Sequence, residues 1–266
     1  MQPKAIELNG KPLGRGRFPA ICAPLVGRTT QTLLAEVAWV AAKQPDVLEW
    51  RVDFFEGIGD TGAVLDLAAR IKQGANGIPI LFTRRSSREG GEKIGLGENE
   101  VVELYRAVCK SGHVDLIDFE MGNDPVDVRQ VREMSGASGT GLILSFHNFD
   151  RTPALADLNQ RFEQAEALGA DIAKVAVMPR NMEDVLTLLA ATLRASEKLR
   201  IPVVSMSMAA MGSLTRLCGS AFGSAMTFAI GQSGSAPGQI AVEELQAGLE
   251  ILRRARGEPA RVPFAR

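Results

Sequence analysis

The chain has 266 residues, 45% of them apolar and 23% charged, and 30 basic against 31 acidic side chains leave a net charge of -1. A balance this even, with no basic block, excludes nucleic acid as the expected partner, because phosphate-backbone binding needs clustered Lys and Arg to displace counterions. No apolar run reaches the ~18 residues of a membrane span, and the first residues, with Lys4, Glu7 and Lys11, lack the apolar stretch of a signal peptide, so a cytoplasmic protein with no membrane partner is expected.

Along the chain, the first 18 residues hold two turn signals, Asn9-Gly10 and Gly14 to Gly16, and read as a β-hairpin. Short apolar runs bounded by turn residues then predict strands over 20–24, 47–52, 79–83, 114–119, 142–146, 172–177, 202–208 and 225–230. Helical periodicity fills the gaps, over 29–43, 60–73, 99–110, 124–134, 152–168, 181–198, 213–221 and 242–256. Two of these helices have readable starts: Thr152 before Pro153, and Asn181 before the Glu183-Asp184 pair.

Strands this apolar are buried on both faces, as parallel strands covered by helices are. Eight βα units in a chain of this length fit an α/β fold of the (β/α)8 TIM-barrel type, one domain over residues 1–266, with the N-terminal hairpin closing the barrel floor. The rival, a doubly wound open sheet, would carry a GxGxxG turn after its first strand; the chain after Ile21 reads CAPLVGRTT, with one glycine.

Three scattered cysteines, Cys22, Cys109 and Cys218, support neither a disulfide framework nor a thiolate metal site, and two histidines cannot make a three-imidazole zinc site. No metal is expected. In a barrel of this kind, chemistry gathers at the C-terminal ends of the strands, and there the chain is rich in polar groups. LEWRVD places Glu49, Arg51 and Asp53 at alternate positions, on one side of a strand, where a site is favoured over a structural Glu49–Arg51 ion pair.

Next, LFTRRSSREGGE delivers Arg85 and Glu89 into a glycine turn that lets backbone approach a ligand, while Arg84 and Arg88 read as a solvated basic loop. His147 stands at the end of ILSFHNF, and His113 in an ordinary turn. Lys174 is the one lysine of eight inside an apolar strand, IAKVAV, a position that is costly unless paired and whose functional return is an amine able to attack a carbonyl. Met206, Met208 and Met211 read as flexible core fillers. Arg216 falls at a loop-to-helix junction, and GQSGSAPGQI is a lid, a phosphate cradle or a plain turn.

A buried lysine, a histidine on the neighbouring strand, glutamates and several arginines suggest Schiff-base chemistry on an anionic carbonyl substrate, with the histidine moving protons and no external cofactor. An aldolase, a dehydratase and a decarboxylase would use the same parts. A class I aldolase for a sugar phosphate and a silent barrel that binds a polyhydroxy acid both stay open on these residues.

The segments LEWRVDFF (48–55), LFTRRSSREGGE (81–92), SFHNF (145–149), IAKVAVMP (172–179), SMSMAAMGSLTRL (205–217), FGSAMTF (222–228) and SAPGQI (235–240) together resemble the type I 3-dehydroquinate dehydratases. The resemblance spans Ile21 to Ile251. It implies a homodimeric (β/α)8 barrel that dehydrates 3-dehydroquinate to 3-dehydroshikimate in the shikimate pathway, without metal or nucleotide. By motif it implies that Lys174 forms an imine with the substrate ketone, that His147 takes the C2 proton and later protonates the departing hydroxyl, and that Glu89 orients His147. Glu49, Arg51 and Arg85 would hold substrate hydroxyls and the local charge balance. Arg216 would pair with the substrate carboxylate, Ser235 and Gln239 would sit on a closing loop, and Met206, Met208 and Phe228 would line the pocket. Ala23 stands where some members carry serine, Asn148 where Asp is common, and Arg84 where an aromatic is frequent.

Overall fold

A computed structural model describes residues 4–8, 11–13 and 19–257. The chain opens on an antiparallel hairpin, β1 (Ile6–Leu8) and β2 (Lys11–Leu13), in which Ile6 faces Leu13 and Leu8 faces Lys11. Its turn signals, Asn9-Gly10 and Gly14 to Gly16, lie outside the described residues. Then strand and helix alternate: β3 (Ala20–Leu25), α1 (Thr30–Ala41), β4 (Val47–Arg51), α2 (Thr61–Gly74), β5 (Ile80–Thr83), α3 (Glu98–Ser111), β6 (Leu116–Glu120) and α4 (Pro125–Ser138). The second half continues with β7 (Gly141–Asn148), α5 (Leu155–Ala167), β8 (Ile172–Val177), α6 (Met182–Lys198), β9 (Val203–Ser207), α7 (Ala209–Gly212), α8 (Leu214–Cys218), β10 (Met226–Ile230), β11 (Ile240–Ala241) and α9 (Val242–Ala255).

The parallel sheet runs β11-β10-β3-β4-β5-β6-β7-β8-β9. The barrel closes where β9 meets the residues leading into β10: Val203 bridges Ser224, and the Ala225 N–H donates to the Val203 carbonyl at 2.8 Å.

Because side chains alternate along a strand, each strand serves two cores. Outward residues such as Leu48, Trp50, Phe82, Phe119, Leu144 and Val175 pack against helix residues, among them Val37, Leu67 and Leu188. Inward residues Val47, Leu81, Leu116, Ile143, Ile172, Val204 and Met226 form a second apolar cluster, and Ile6 and Leu8 of the hairpin join it as a plug at the floor. Above that layer the inward positions turn polar, which fixes the site at the opposite end from the hairpin.

Asn181 caps α6 as its sequence suggests, accepting from the Asp184 N–H at 2.9 Å. Thr152 does not cap α5: the helix begins at Leu155, and the buried Thr152 hydroxyl finds its acceptor in the Met178 carbonyl at 3.0 Å instead, tying the loop after β7 to the end of β8. The helix predicted over 213–221 is divided into α8 and a 3-10 turn over Gly219–Phe222, with Gly219 at the C-terminus of α8, and the separate short turn α7 precedes it. Met211, read as core, is exposed on the single surface turn of α7.

Candidate active site

One inward step above the apolar layer stand Glu49, Thr83, Asp118, Ser145 and Lys174; a second step brings Arg51, Arg85, Glu120 and His147. All twelve candidate residues, Glu49, Arg51, Arg85, Glu89, His147, Lys174, Met206, Met208, Arg216, Phe228, Ser235 and Gln239, line one cavity at this end, with Gly90, Phe149, Ala176 and Ala236. Strand β8 pairs with β7 so that Lys174 lies beside Ser145 and Ala176 beside His147. The lysine is therefore deeper and the histidine nearer the mouth.

Lys174 is only 3% exposed, and its charge is met: Nζ lies 2.8 Å from Asp118 Oδ2 and 3.9 Å from Glu49 Oε1, with the Phe228 ring centroid 4.4 Å away. The partner that a buried lysine needs comes from β6, which supplies Asp118. Asp118 Oδ1 accepts from Arg85 Nη2 at 2.8 Å and from the Ser145 hydroxyl at 2.6 Å. Arg85 further donates to Ser145 Oγ at 2.9 Å and Glu120 Oε1 at 3.2 Å, and Glu120 also accepts from the Ser86 N–H and hydroxyl. Burial would raise Asp118, but the Arg85 and Lys174 charges outweigh it and hold this carboxyl well below the usual range.

His147 Nδ1 lies 2.8 Å from Glu89 Oε2, and the same oxygen accepts the His147 backbone N–H at 3.0 Å. The other ring nitrogen makes no hydrogen bond among the described residues. Burial, then the nearby Arg85 and Lys174 charges, push the imidazole well below its ordinary range. Burial and the Glu120 charge push Glu89 up to about 8, against the pull of Arg85.

The glycine turn after Glu89 serves the protein itself. Gly90 has φ +83°, and a Cβ there would lie 2.4 Å from the Phe149 ring; a Cβ on Gly91 would meet the Arg85 carbonyl at 2.0 Å. Arg51 pairs with Asp53 through two hydrogen bonds of 2.9 and 2.8 Å, not with Glu49, whose Oε1 accepts from the Thr83 hydroxyl at 3.0 Å. Asp53, in the 3-10 turn after β4, also accepts the backbone N–H groups of Arg85 and Glu92, so it aims Arg51 and anchors the loop that carries Glu89.

Across the cavity, Arg216 is nearly fully buried and donates to three carbonyls: Gly238 at 2.7 Å, Phe228 at 3.0 Å and Pro237 at 3.1 Å. Burial lowers it to about 10. Gln239 Oε1 accepts the N–H groups of Ser235 and Ala236 at 2.8 and 3.2 Å, so those donors are spent inside the loop and form no phosphate cradle.

The three departures from the family pattern fall outside the cavity. Ala23 packs in the outer core, Arg84 pairs with Glu98 rather than lying in a solvated loop, and the Asn148 side chain accepts the N–H groups of Asp150 and Arg151. Asp118 and Glu120 are site residues that sequence reasoning missed. Their signal was the LIDFE alternation of β6, which repeats the pattern of LEWR.

A closed (β/α)8 barrel with this cavity at its strand C-termini defines an enzyme acting on a small polar molecule. The type I 3-dehydroquinase family matches residues 21–256. A 3-dehydroquinate dehydratase of Albidiferax ferrireducens is 57% identical over 98% of both chains. The crystal structure of the 3-dehydroquinate dehydratase of Geobacillus kaustophilus superposes with a TM-score of 0.91 at 47% identity, covering 95% of this chain and 98% of that one. A type I enzyme of Clostridium difficile, solved with covalently modified comenic acid, gives a TM-score of 0.90 at 35% identity, covering 95% of this chain and 99% of the other. The chain belongs to the type I 3-dehydroquinase family and is a hydro-lyase. Among the described residues, no helix is long and apolar enough to cross a membrane.

Proposed function

We propose that this chain dehydrates 3-dehydroquinate to 3-dehydroshikimate through an imine on Lys174, with His147 as both base and acid. The observation that carries this reading is that Lys174 and His147 open on one cavity from adjacent strands while Glu89 occupies Nδ1 and leaves Nε2 free to act. Nζ condenses with the substrate ketone and releases water. The protonated imine draws electrons from C2, and Nε2 takes the C2 proton to give an enamine. The enamine expels the hydroxyl β to the original ketone, which leaves as water with the proton from His147. Hydrolysis of the product imine returns the lysine.

Arg216 pairs with the substrate carboxylate, and the Ser235–Gln239 loop closes over it. Glu49 and Arg51 meet substrate hydroxyls, Arg85 sets the local charge, and Met206, Met208 and Phe228 wall the pocket. The family resemblance supports the rest: one barrel domain over the whole chain, a homodimer, work in the cytoplasm within the shikimate pathway, and no metal or nucleotide.

Mixing the protein with 3-dehydroquinate and borohydride tests the mechanism. A stable adduct on the Lys174 peptide is expected in the mass spectrum; a folded protein that gives none overturns the imine.

A further inference from the structure

Asp118 has no exposed surface and does not line the cavity, yet it is the acid nearest the lysine nitrogen. Its two oxygens are divided. Oδ2 faces Lys174 Nζ at 2.8 Å, while Oδ1 is fixed by Arg85 at 2.8 Å, from the loop after β5, and by Ser145 at 2.6 Å, from β7. The carboxylate cannot turn from the lysine without breaking both of those bonds. It also sits in a site with no water-facing side, where a fixed charge acts more strongly than in solvent.

Resting on the imine mechanism above, we propose that Asp118 is a catalytic residue, the fixed counter-ion of the reacting nitrogen, which takes no proton at any step. Positive charge develops on that nitrogen twice in the reaction. It forms when the carbinolamine loses water to give the protonated imine, and again when the enamine expels the hydroxyl and restores a protonated imine in the product. An anion already held 2.8 Å away favours both steps and needs no reorganisation when they occur. Glu49, 3.9 Å from the nitrogen and on the cavity wall, is less rigidly placed: among the described residues its one hydrogen bond comes from Thr83.

The test separates charge from scaffolding. Asp118→Asn keeps the shape and removes the charge; Ser145→Ala keeps the charge and removes one tether. A counter-ion predicts that kcat falls about 100-fold in Asp118→Asn with KM changed by no more than about threefold, because Arg216 and Arg51, proposed to meet the substrate carboxylate and hydroxyls, take their hydrogen bonds from other groups. Ser145→Ala then loses about tenfold or less. The inference is overturned if Asp118→Asn retains kcat within about threefold, or if the two variants lose kcat equally, which marks a scaffold. Infrared difference spectra of wild-type protein labelled with carbon-13 aspartate supply a measurement independent of how the variants fold. No labelled carboxylic-acid band is expected on adding 3-dehydroquinate, and its appearance overturns the inference. Borohydride trapping on the wild type keeps the two ideas apart: no adduct on Lys174 removes the imine and Asp118's role together, whereas an adduct with full turnover in Asp118→Asn removes only the latter.

Discussion

Glu89 holds His147 at two points with one oxygen, accepting the backbone N–H at 3.0 Å and lying 2.8 Å from Nδ1. The imidazole is thereby set in both position and tilt. The arrangement also links the two groups to stability, with opposite signs. Glu89, raised from 4.5 to about 8, binds its proton more tightly in the folded state, so its contribution is complete below about 4.5 and is lost as the pH rises to about 8. His147, held well below 6.5, contributes above 6.5 and loses that contribution as the pH falls through its folded value. Glu89→Gln fixes the neutral form. It is expected to match wild type near pH 4.5 and to exceed it increasingly toward pH 8, as read from urea midpoints across that window.

Lys174→Ala is expected to lose turnover by on the order of 10⁴-fold or more, followed by the absorbance of the conjugated enone, and to give no borohydride adduct. Its cost in stability should fall below the ~3–5 kcal/mol of breaking a buried ion pair, because Arg85 and Ser145 still satisfy Asp118. Urea unfolding measures this, and a larger loss would contradict the shared support.

Arg85→Leu removes the cation that Asp118 and Glu120 share. It leaves two buried carboxylates short of a partner, so a loss of about 3–5 kcal/mol in chemical denaturation is expected, with turnover falling in parallel.

Leu8→Ala tests the floor. The side chain is buried in the inner core at the end remote from the cavity, so the variant should lose about 2–5 kcal/mol while kcat and KM stay at wild-type values. A change in KM would show that the hairpin reaches the site.

The barrel was legible because strands buried on both faces read as unbroken apolar runs, and each is followed by a helix-length polar-apolar pattern. Lys174, Glu49 and Arg51 stood out as charges inside such runs. Asp118 and Glu120 are charges of the same kind in β6, but Asp115 precedes them, and three acids in close succession look like the wet end of a strand. Counting by twos from Leu116 places both inward, as the structure has them. The same parity, counted from Ala20, sends Ala23 outward, away from the cavity. What no pattern could supply was pairing: that Arg51 would turn to Asp53, Lys174 to Asp118, and Thr152 to a carbonyl on another strand. Those partners are distant in sequence or set by loop geometry, and only closure of the barrel brings them together.

Arg216 meets no carboxylate among the described residues; two carbonyls of the 235–239 loop, Pro237 and Gly238, and the Phe228 carbonyl of β10 stand in for one. On the function proposed above, one guanidinium is both the receptor for the substrate carboxylate and the stitch that fastens the loop. Loop geometry and ligand preference are then tied to one side chain. A change at Pro237 or Gly238 that moves a carbonyl is then expected to re-aim the charge.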